Sequence, residues 1–209
     1  MLAGVPKQFL LLCGKPMLMH SLEAFYRTFP DIMLVVALPA DHLSRWHDLC
    51  VQHEFNLPHQ LVAGGETRFH SVRNALAYIG DDGVVAIHDG ARPLISEQLI
   101  RSCFLTAEAL GNCIPVIPMN ESVRMLTKDA SQAVDRTSYC IVQTPQVFHA
   151  ATIRKAYLQE FRDSFTDDAV VAESMGELIH LTDGDPVNMK VTHPSDLATA
   201  ETLMKRNTL

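Results

Sequence analysis

No stretch of this 209-residue chain holds the roughly 20 consecutive apolar residues that a membrane-spanning helix requires. Nor does it open with the basic start and apolar core of a secretory signal. A cytoplasmic protein without membrane partners is therefore expected. Lys/Arg-rich runs are missing too, and 17 basic against 24 acidic side chains leave a formal charge of -7, which argues against a nucleic-acid surface. The five cysteines, Cys13, Cys50, Cys103, Cys113 and Cys140, are scattered and form no C-x-x-C pair, so zinc and dithiol redox chemistry are not indicated. No G-x-G-x-x-G follows a strand-like run, which speaks against a dinucleotide oxidoreductase. None of the ten histidines sits in a recognisable nucleophile motif, which weighs, weakly, against hydrolysis.

At 47% hydrophobic content the chain can bury one substantial core, and a single domain over 1–209 is expected. Ile32–Leu38, Val84–His88 and Cys113–Ile117 read as buried strands. Between them, Met17–Tyr26, Thr67–Ile79 and Ser96–Leu110 have helical period. Strands alternating with helices predict an α/β fold with a mostly parallel sheet covered on both faces. From about 120 to 143 the pattern changes to short segments around Lys128-Asp129-Ala130-Ser131, read as a protruding β-hairpin arm. Near the C-terminus, LIHLTDGDPVNMKVT suggests two short strands around a Gly184 turn, and Pro194 opens a last helix through about Met204.

The chemistry-bearing residues lie in the connections. Pro6-Lys7-Gln8-Phe9 precedes Gly14-Lys15-Pro16, which is expected to open the first helix. Gly64-Gly65-Glu66-Thr67-Arg68 joins a strand to a helix whose free N–H groups suit a base or phosphate, although glycine there can serve turn geometry alone. His88-Asp89-Gly90-Ala91-Arg92-Pro93 follows a strand at its carboxyl end, where open α/β sheets bind ligands. Asp135-Arg136 and Thr144-Pro145-Gln146 flank the end of the arm. Thr166-Asp167-Asp168 most simply starts a helix with Thr166 as N-cap, and Asn188-Met189-Lys190-Val191-Thr192 ends a strand with Lys190 as a plain surface charge or a ligand.

Taken in order, PKQF, GGETR with Ser71, HDGARP, VDR, TPQ, TDD and NMKVT resemble the motif series of the 2-C-methyl-D-erythritol 4-phosphate cytidylyltransferase family over nearly the whole chain. The resemblance implies a Rossmann-like nucleotidyltransferase fold, a homodimer with exchanged β-arms, the substrates CTP and a polyol phosphate, Mg²⁺, and a place in non-mevalonate isoprenoid synthesis. By that resemblance Gly65, Glu66 and Ser71 contact the cytosine, Ala91 approaches the nucleotide sugar, and Lys7 and Lys190 attend the reacting phosphates. Asp89, Arg92, Thr144 and Thr166 hold the acceptor, while Ser122 and Arg136 reach the neighbouring subunit's site. Mg²⁺ is then held mainly by the CTP phosphates, with Asp89 as a further ligand candidate. A ribitol-5-phosphate cytidylyltransferase and a non-catalytic dimeric binding module remain as alternatives.

Members of the family resemble one another in a first strand and a Gly-rich phosphate loop ending in Arg-Met before the Pro-Lys-Gln segment. Here Met1 falls where that final methionine would stand, and neither element occurs in the 209 residues. A start assigned too far downstream, or a shortened chain, is the expected cause, with a threat to activity. The strand's two neighbours in the middle of the sheet are then expected to carry unpaired ladder groups, at roughly 1–3 kcal/mol for each buried orphan.

Overall fold

The computed structural model describes residues 6–207. A 3-10 turn at Lys7–Phe9 leads into a small hairpin of β1 (Leu11–Leu12) and β2 (Lys15–Pro16), followed by α1 (Met17–Thr28), β3 (Val35–Leu38), α2 (Leu43–Gln52), β4 (Gln60–Ala63), α3 (Arg68–Leu76), β5 (Val84–Ile87) and α4 (Glu97–Leu110). The second half comprises β6 (Asn112–Pro118), β7 (Arg124–Leu126), β8 (Ser131–Ala133), β9 (Cys140–Val142), β10 (Gln146–His149), α5 (Ala150–Ala156), α6 (Asp168–Glu173), β11 (Leu181–Asp183) and α7 (Pro194–Asn207). No helix among the described residues is long and apolar enough to cross a membrane.

The sheet is ordered β11-β6-β10-β5, with β9 also pairing β6, while β3 and β4 form a separate parallel pair. Because β10 runs antiparallel to both β5 and β6, those two share one direction, and β11 is parallel to β6. The α/β architecture expected from the alternation is therefore present, with β10 and β9 as the opposed strands. Period 2 along the strands divides the core. Val147 and Phe148 are adjacent and both 0% exposed, yet Val147 packs with Met19, Phe25, Ile100 and Cys103 while Phe148 packs with Phe69, Ile153 and Tyr157. Val84 and Ala86 likewise join the first cluster and Val85 and Ile87 the second. Helices thus cover both faces, as a buried strand requires.

Among the described residues β3 has β4 as its ladder partner and β5 has β10. Each has one ladder partner among these residues, and both strands line one cavity of about 570 Å³.

Several local expectations change. Gly14-Lys15-Pro16 does not open the helix. Cys13 and Gly14 both have positive φ, 49° and 83°, and make the two-residue turn of the β1–β2 hairpin, so that α1 starts only after Pro16. The arm's hairpin is β7 with β8, closed by Thr127 and Ala130, but the run from 132 to 142 breaks at the 3-10 turn Arg136–Ser138, where the Asp135 side chain accepts from the Thr137 N–H. Its remainder, β9, pairs with β6 and not with β7. Of the two strands near Gly184 one forms, β11, with Gly184 N–H donating to Val116 O. Residues 188–192 form no strand and are held by turn-like backbone bonds, Asn188 N–H to Asp185 O and Val191 N–H to Ala91 O, and by the Asp196 carboxylate, which accepts from Thr192. The N-cap of α6 is Asp167, not Thr166: its carboxylate accepts from Val170 N–H at 2.9 Å.

Candidate active site

The turn after β4 brings the first residues together. Thr67 caps α3, accepting from His70 N–H, and its carbonyl receives the Ser71 hydroxyl at 3.0 Å. Ser71 Oγ in turn accepts from Gly65 N–H at 3.1 Å. A Cβ on Gly65 would stand 2.4 Å from His70 Cβ, so only glycine lets the turn lie against the first turn of α3. Glu66 is exposed at the same turn.

The His88–Pro93 loop supplies the second group, and its hydrogen bonds fix one protonation state. His88 Nε2 lies 3.1 Å from Arg92 O, an acceptor only, so Nε2 carries the proton. Burial lowers the imidazole pKa to about 4, leaving the ring neutral near pH 7 and Nδ1 as an acceptor. Thr144 Oγ, 3.1 Å from Nδ1, therefore donates to it, and accepts from Asp89 N–H at 3.1 Å. With its proton committed to His88, the Thr144 hydroxyl can offer a ligand a lone pair but no donor. The Thr144–Pro145 bond is cis.

Asp89 is the meeting point of three cations. Its Oδ2 stands 2.8 Å from Lys190 Nζ and 3.9 Å from Arg92 Nε, and its Oδ1 accepts from Arg68 Nε at 3.4 Å. Burial pushes the Asp89 carboxyl up, but the Lys190 hydrogen bond and the Arg68 and Lys190 charges outweigh it and hold it below the usual carboxylate range. The Lys190 segment docks by Val191 N–H donating to Ala91 O at 2.8 Å. Behind it, Arg92 is 9% exposed and donates from its two terminal nitrogens to Asn188 O at 2.8 Å and Val142 O at 3.4 Å, while its buried Nε makes no hydrogen bond. Gln143 donates to Asp185 O and accepts from Asp185 N–H, and Asn188 Nδ2 donates to Thr144 O, clamping the two loops.

Lys7 opens the N-terminal 3-10 turn, and its neighbour Gln8 borders the cavity also lined by Arg68, Ser71, His88, Asp89 and Gly90. A Cβ on Gly90 would meet Leu18 at 3.0 Å and Gln8 at 3.7 Å, which places this turn against the His88 loop. Thr166 is exposed just before the α6 cap. Ser122 and Arg136 are exposed on the arm, where Arg136 Nη1 donates to Asn120 O.

The motifs gave no role to several residues that the structure makes central. Asp168 is 0% exposed and takes both terminal nitrogens of Arg68, at 2.9 and 2.6 Å, and Tyr157 OH donates to it. Arg68 lies inside GGETR and Asp168 inside TDD, so both positions were visible, but their pairing was not. Gln146, 1% exposed, accepts from Ala169 N–H and donates to Asp167, fastening the start of α6 to β10. For a divalent cation, the described residues bring together no group of three or more His, Cys, Asp or Glu. Of the two carboxylates that line the cavity, Asp82 and Asp89, only Asp89 stands in the cation cluster, and so sparse a carboxylate set fits Mg²⁺ carried chiefly by a polyphosphate, the usual arrangement for that ion.

Most of the cavity wall is apolar, and Arg68, Ser71, His88 and Asp89 form a polar end to it, with Lys190 bound to Asp89 beside them. The family model of 2-C-methyl-D-erythritol 4-phosphate cytidylyltransferase matches residues 1–206. An enzyme of that name from Bacteroides fragilis is 48% identical over 200 residues, covering 96% of this chain and 91% of that protein. One from Porphyromonas gingivalis is 46% identical over 203 residues, covering 97% and 90%. The crystal structure of the Thermus thermophilus enzyme superposes with a TM-score of 0.82 at 30% identity, covering 97% of this chain and 95% of that one. With its Gly65, Asp89 and Lys190 segments assembled on this α/β frame, the chain belongs to the 2-C-methyl-D-erythritol 4-phosphate cytidylyltransferase family.

Proposed function

We propose that the protein transfers CMP from CTP to 2-C-methyl-D-erythritol 4-phosphate, yielding 4-diphosphocytidyl-2-C-methyl-D-erythritol and pyrophosphate, as a cytoplasmic enzyme of non-mevalonate isoprenoid synthesis. The observation that carries the reading is the Asp89–Lys190 ion pair at 2.8 Å, which joins the end of β5, where Asp89 borders the cavity, to the Lys190 segment. The relatives at 45–48% identity bear the methylerythritol name, which favours that acceptor over ribitol phosphate.

An acceptor phosphate, with a second pKa near about 6, is mostly dianionic at neutral pH and attacks without a general base. One of its oxygens forms a bond to the α-phosphorus of CTP while the bond to the β-phosphate oxygen breaks, and pyrophosphate leaves with that electron pair. What the protein must supply is alignment of two anions and stabilisation of the charge that builds on the α-phosphate and the leaving group. Lys7 and Lys190 take that task. Gly65, Glu66 and Ser71 hold the cytosine, and Ala91 faces the sugar. Asp89, Arg92, Thr144 and Thr166 border the acceptor, Thr144 through its lone pair and Arg92 chiefly by fixing the loops. Mg²⁺, when bound through the CTP phosphates with Asp89 as the candidate protein ligand, neutralises charge on the triphosphate.

The arm supports a homodimer. Met125, Leu126, Tyr139 and Ile141 are 42–81% exposed there, and a lone two-stranded hairpin is marginal in water. A second copy covers these side chains, and Ser122 and Arg136 then serve the partner's site. The organisation is one domain over 1–209 with the arm at about 120–143.

Pyrophosphate release from CTP and Mg²⁺ tests the assignment. Turnover with methylerythritol phosphate well above that with ribitol phosphate is expected; the reverse order, or no release with either, overturns it.

A further inference from the structure

Arg68 divides one guanidinium between two carboxylates. Its terminal nitrogens grip Asp168 at 2.9 and 2.6 Å, and its Nε reaches Asp89 Oδ1 at 3.4 Å. Asp168 is itself 0% exposed and receives the Tyr157 hydroxyl, so the gripped end is fixed in the interior. Tyr157, 2% exposed, stacks on Phe69 at 4.7 Å between ring centroids, and Phe69 is the residue next to Arg68 on α3. The end of this chain of contacts that faces the cavity is Asp89, whose other oxygen holds Lys190 at 2.8 Å.

We propose that Arg68 is a positioning residue for the transfer reaction: anchored by Asp168 and Tyr157, it orients the Asp89 carboxylate so that Oδ2 holds the Lys190 ammonium in place. The planar fork makes this possible. A carboxylate occupies the paired terminal nitrogens, and the Nε–H on the other edge is left for Asp89, an arrangement that a lysine's single point charge cannot copy. The pairing is firm: burial works against the Arg68 cation, but the charge and hydrogen bonds of Asp168, together with Asp89, raise its pKa above the usual arginine value.

The kinetic part of the inference rests on the proposed cytidylyl transfer; the geometric part does not. Removing Arg68 alone would leave Asp168 as an unpaired buried charge and risks unfolding. The test therefore uses the paired change Arg68→Gln with Asp168→Asn, which is neutral and keeps an oxygen for the Tyr157 hydroxyl, and, separately, Arg68→Lys. The ζ-ammonium resonance of Lys190 is followed in protein labelled with ¹⁵N-lysine and assigned with Lys190→Arg. In parallel, kcat and the KM for CTP are measured with Mg²⁺ and the acceptor phosphate.

In the paired variant, a displaced or exchange-broadened Lys190 resonance is expected, with kcat down roughly 10- to 100-fold and the CTP KM within about threefold. Arg68→Lys should recover only part of that loss. An unchanged Lys190 resonance overturns the proposal, as does a raised CTP KM with kcat preserved, which would make Arg68 a support for the Gly65 turn alone. A displaced resonance in a protein whose wild type shows no turnover upholds the positioning role and removes the activity assignment instead.

Discussion

Asp89 and Lys190 stand 2.8 Å apart, and the lysine is still 46% exposed. One side of its ammonium is held while the other faces solvent, the condition for a cation that must meet an arriving phosphate. Replacing Lys190 with Ala should therefore leave the fold intact. Turnover is expected to fall roughly 100- to 1,000-fold, the usual loss when one preorganised group at a developing charge is removed. Pyrophosphate release and a thermal melt together check this; a near-normal rate would refute the role.

Arg136 lies exposed on the arm, away from the Asp89 cluster of its own chain in the contacts it makes. If it serves the partner's site, inactive Arg136→Ala and inactive Lys190→Ala proteins should regain partial activity when mixed, through heterodimers with one intact site. Absence of recovery, once subunit exchange has been confirmed by mass, would contradict the exchange.

Gly65→Ala places a methyl group 2.4 Å from His70 Cβ, with His70 backbone atoms at 3.2 and 3.3 Å. The turn must move, since backbone cannot yield as a flexible side chain does, and overpacking of this kind costs about 1–3 kcal/mol. Because Gly65 N–H is bound to Ser71 Oγ, both candidate base contacts shift together. The CTP KM is expected to rise more than about tenfold, with the acceptor KM nearly unchanged, as steady-state kinetics will show.

The His88 ring imposes a pH dependence on stability. Its pKa falls from 6.5 when unfolded to about 4 when folded, because burial disfavours the cation. The unfolded chain thus binds the proton more readily between these values. His88 contributes fully above pH 6.5, and its contribution is lost as the pH drops towards 4, amounting to at most about 3 kcal/mol. Urea midpoints measured across that window should fall with acidity, and less so in His88→Gln. Identical slopes for the two proteins would rule out His88 as the source.

Much of this was legible in the chain itself. The unbroken apolar run Val84–Ile87 and period 3.6 in Phe69, Val72 and Leu76 are local features, so α/β alternation and the positions of the Gly65, Asp89 and Lys190 segments could be read before any contact was known. Hairpin chemistry was harder to see. Cys13-Gly14 makes a primed turn with a cysteine where asparagine is more usual, and Lys15-Pro16 looked like a helix start.

The sequence by itself determined which residues are apolar at which period, and which motifs follow one another in what order. Only the tertiary structure decided that β10 runs against its neighbours, that β9 leaves the arm to join β6, and that Asp168 and Asp89 share Arg68. It also decided the His88 tautomer and the direction of every shifted pKa. The reason is the same in each case: strand register, burial and charge proximity arise between segments far apart along the chain, and no local pattern carries their distances.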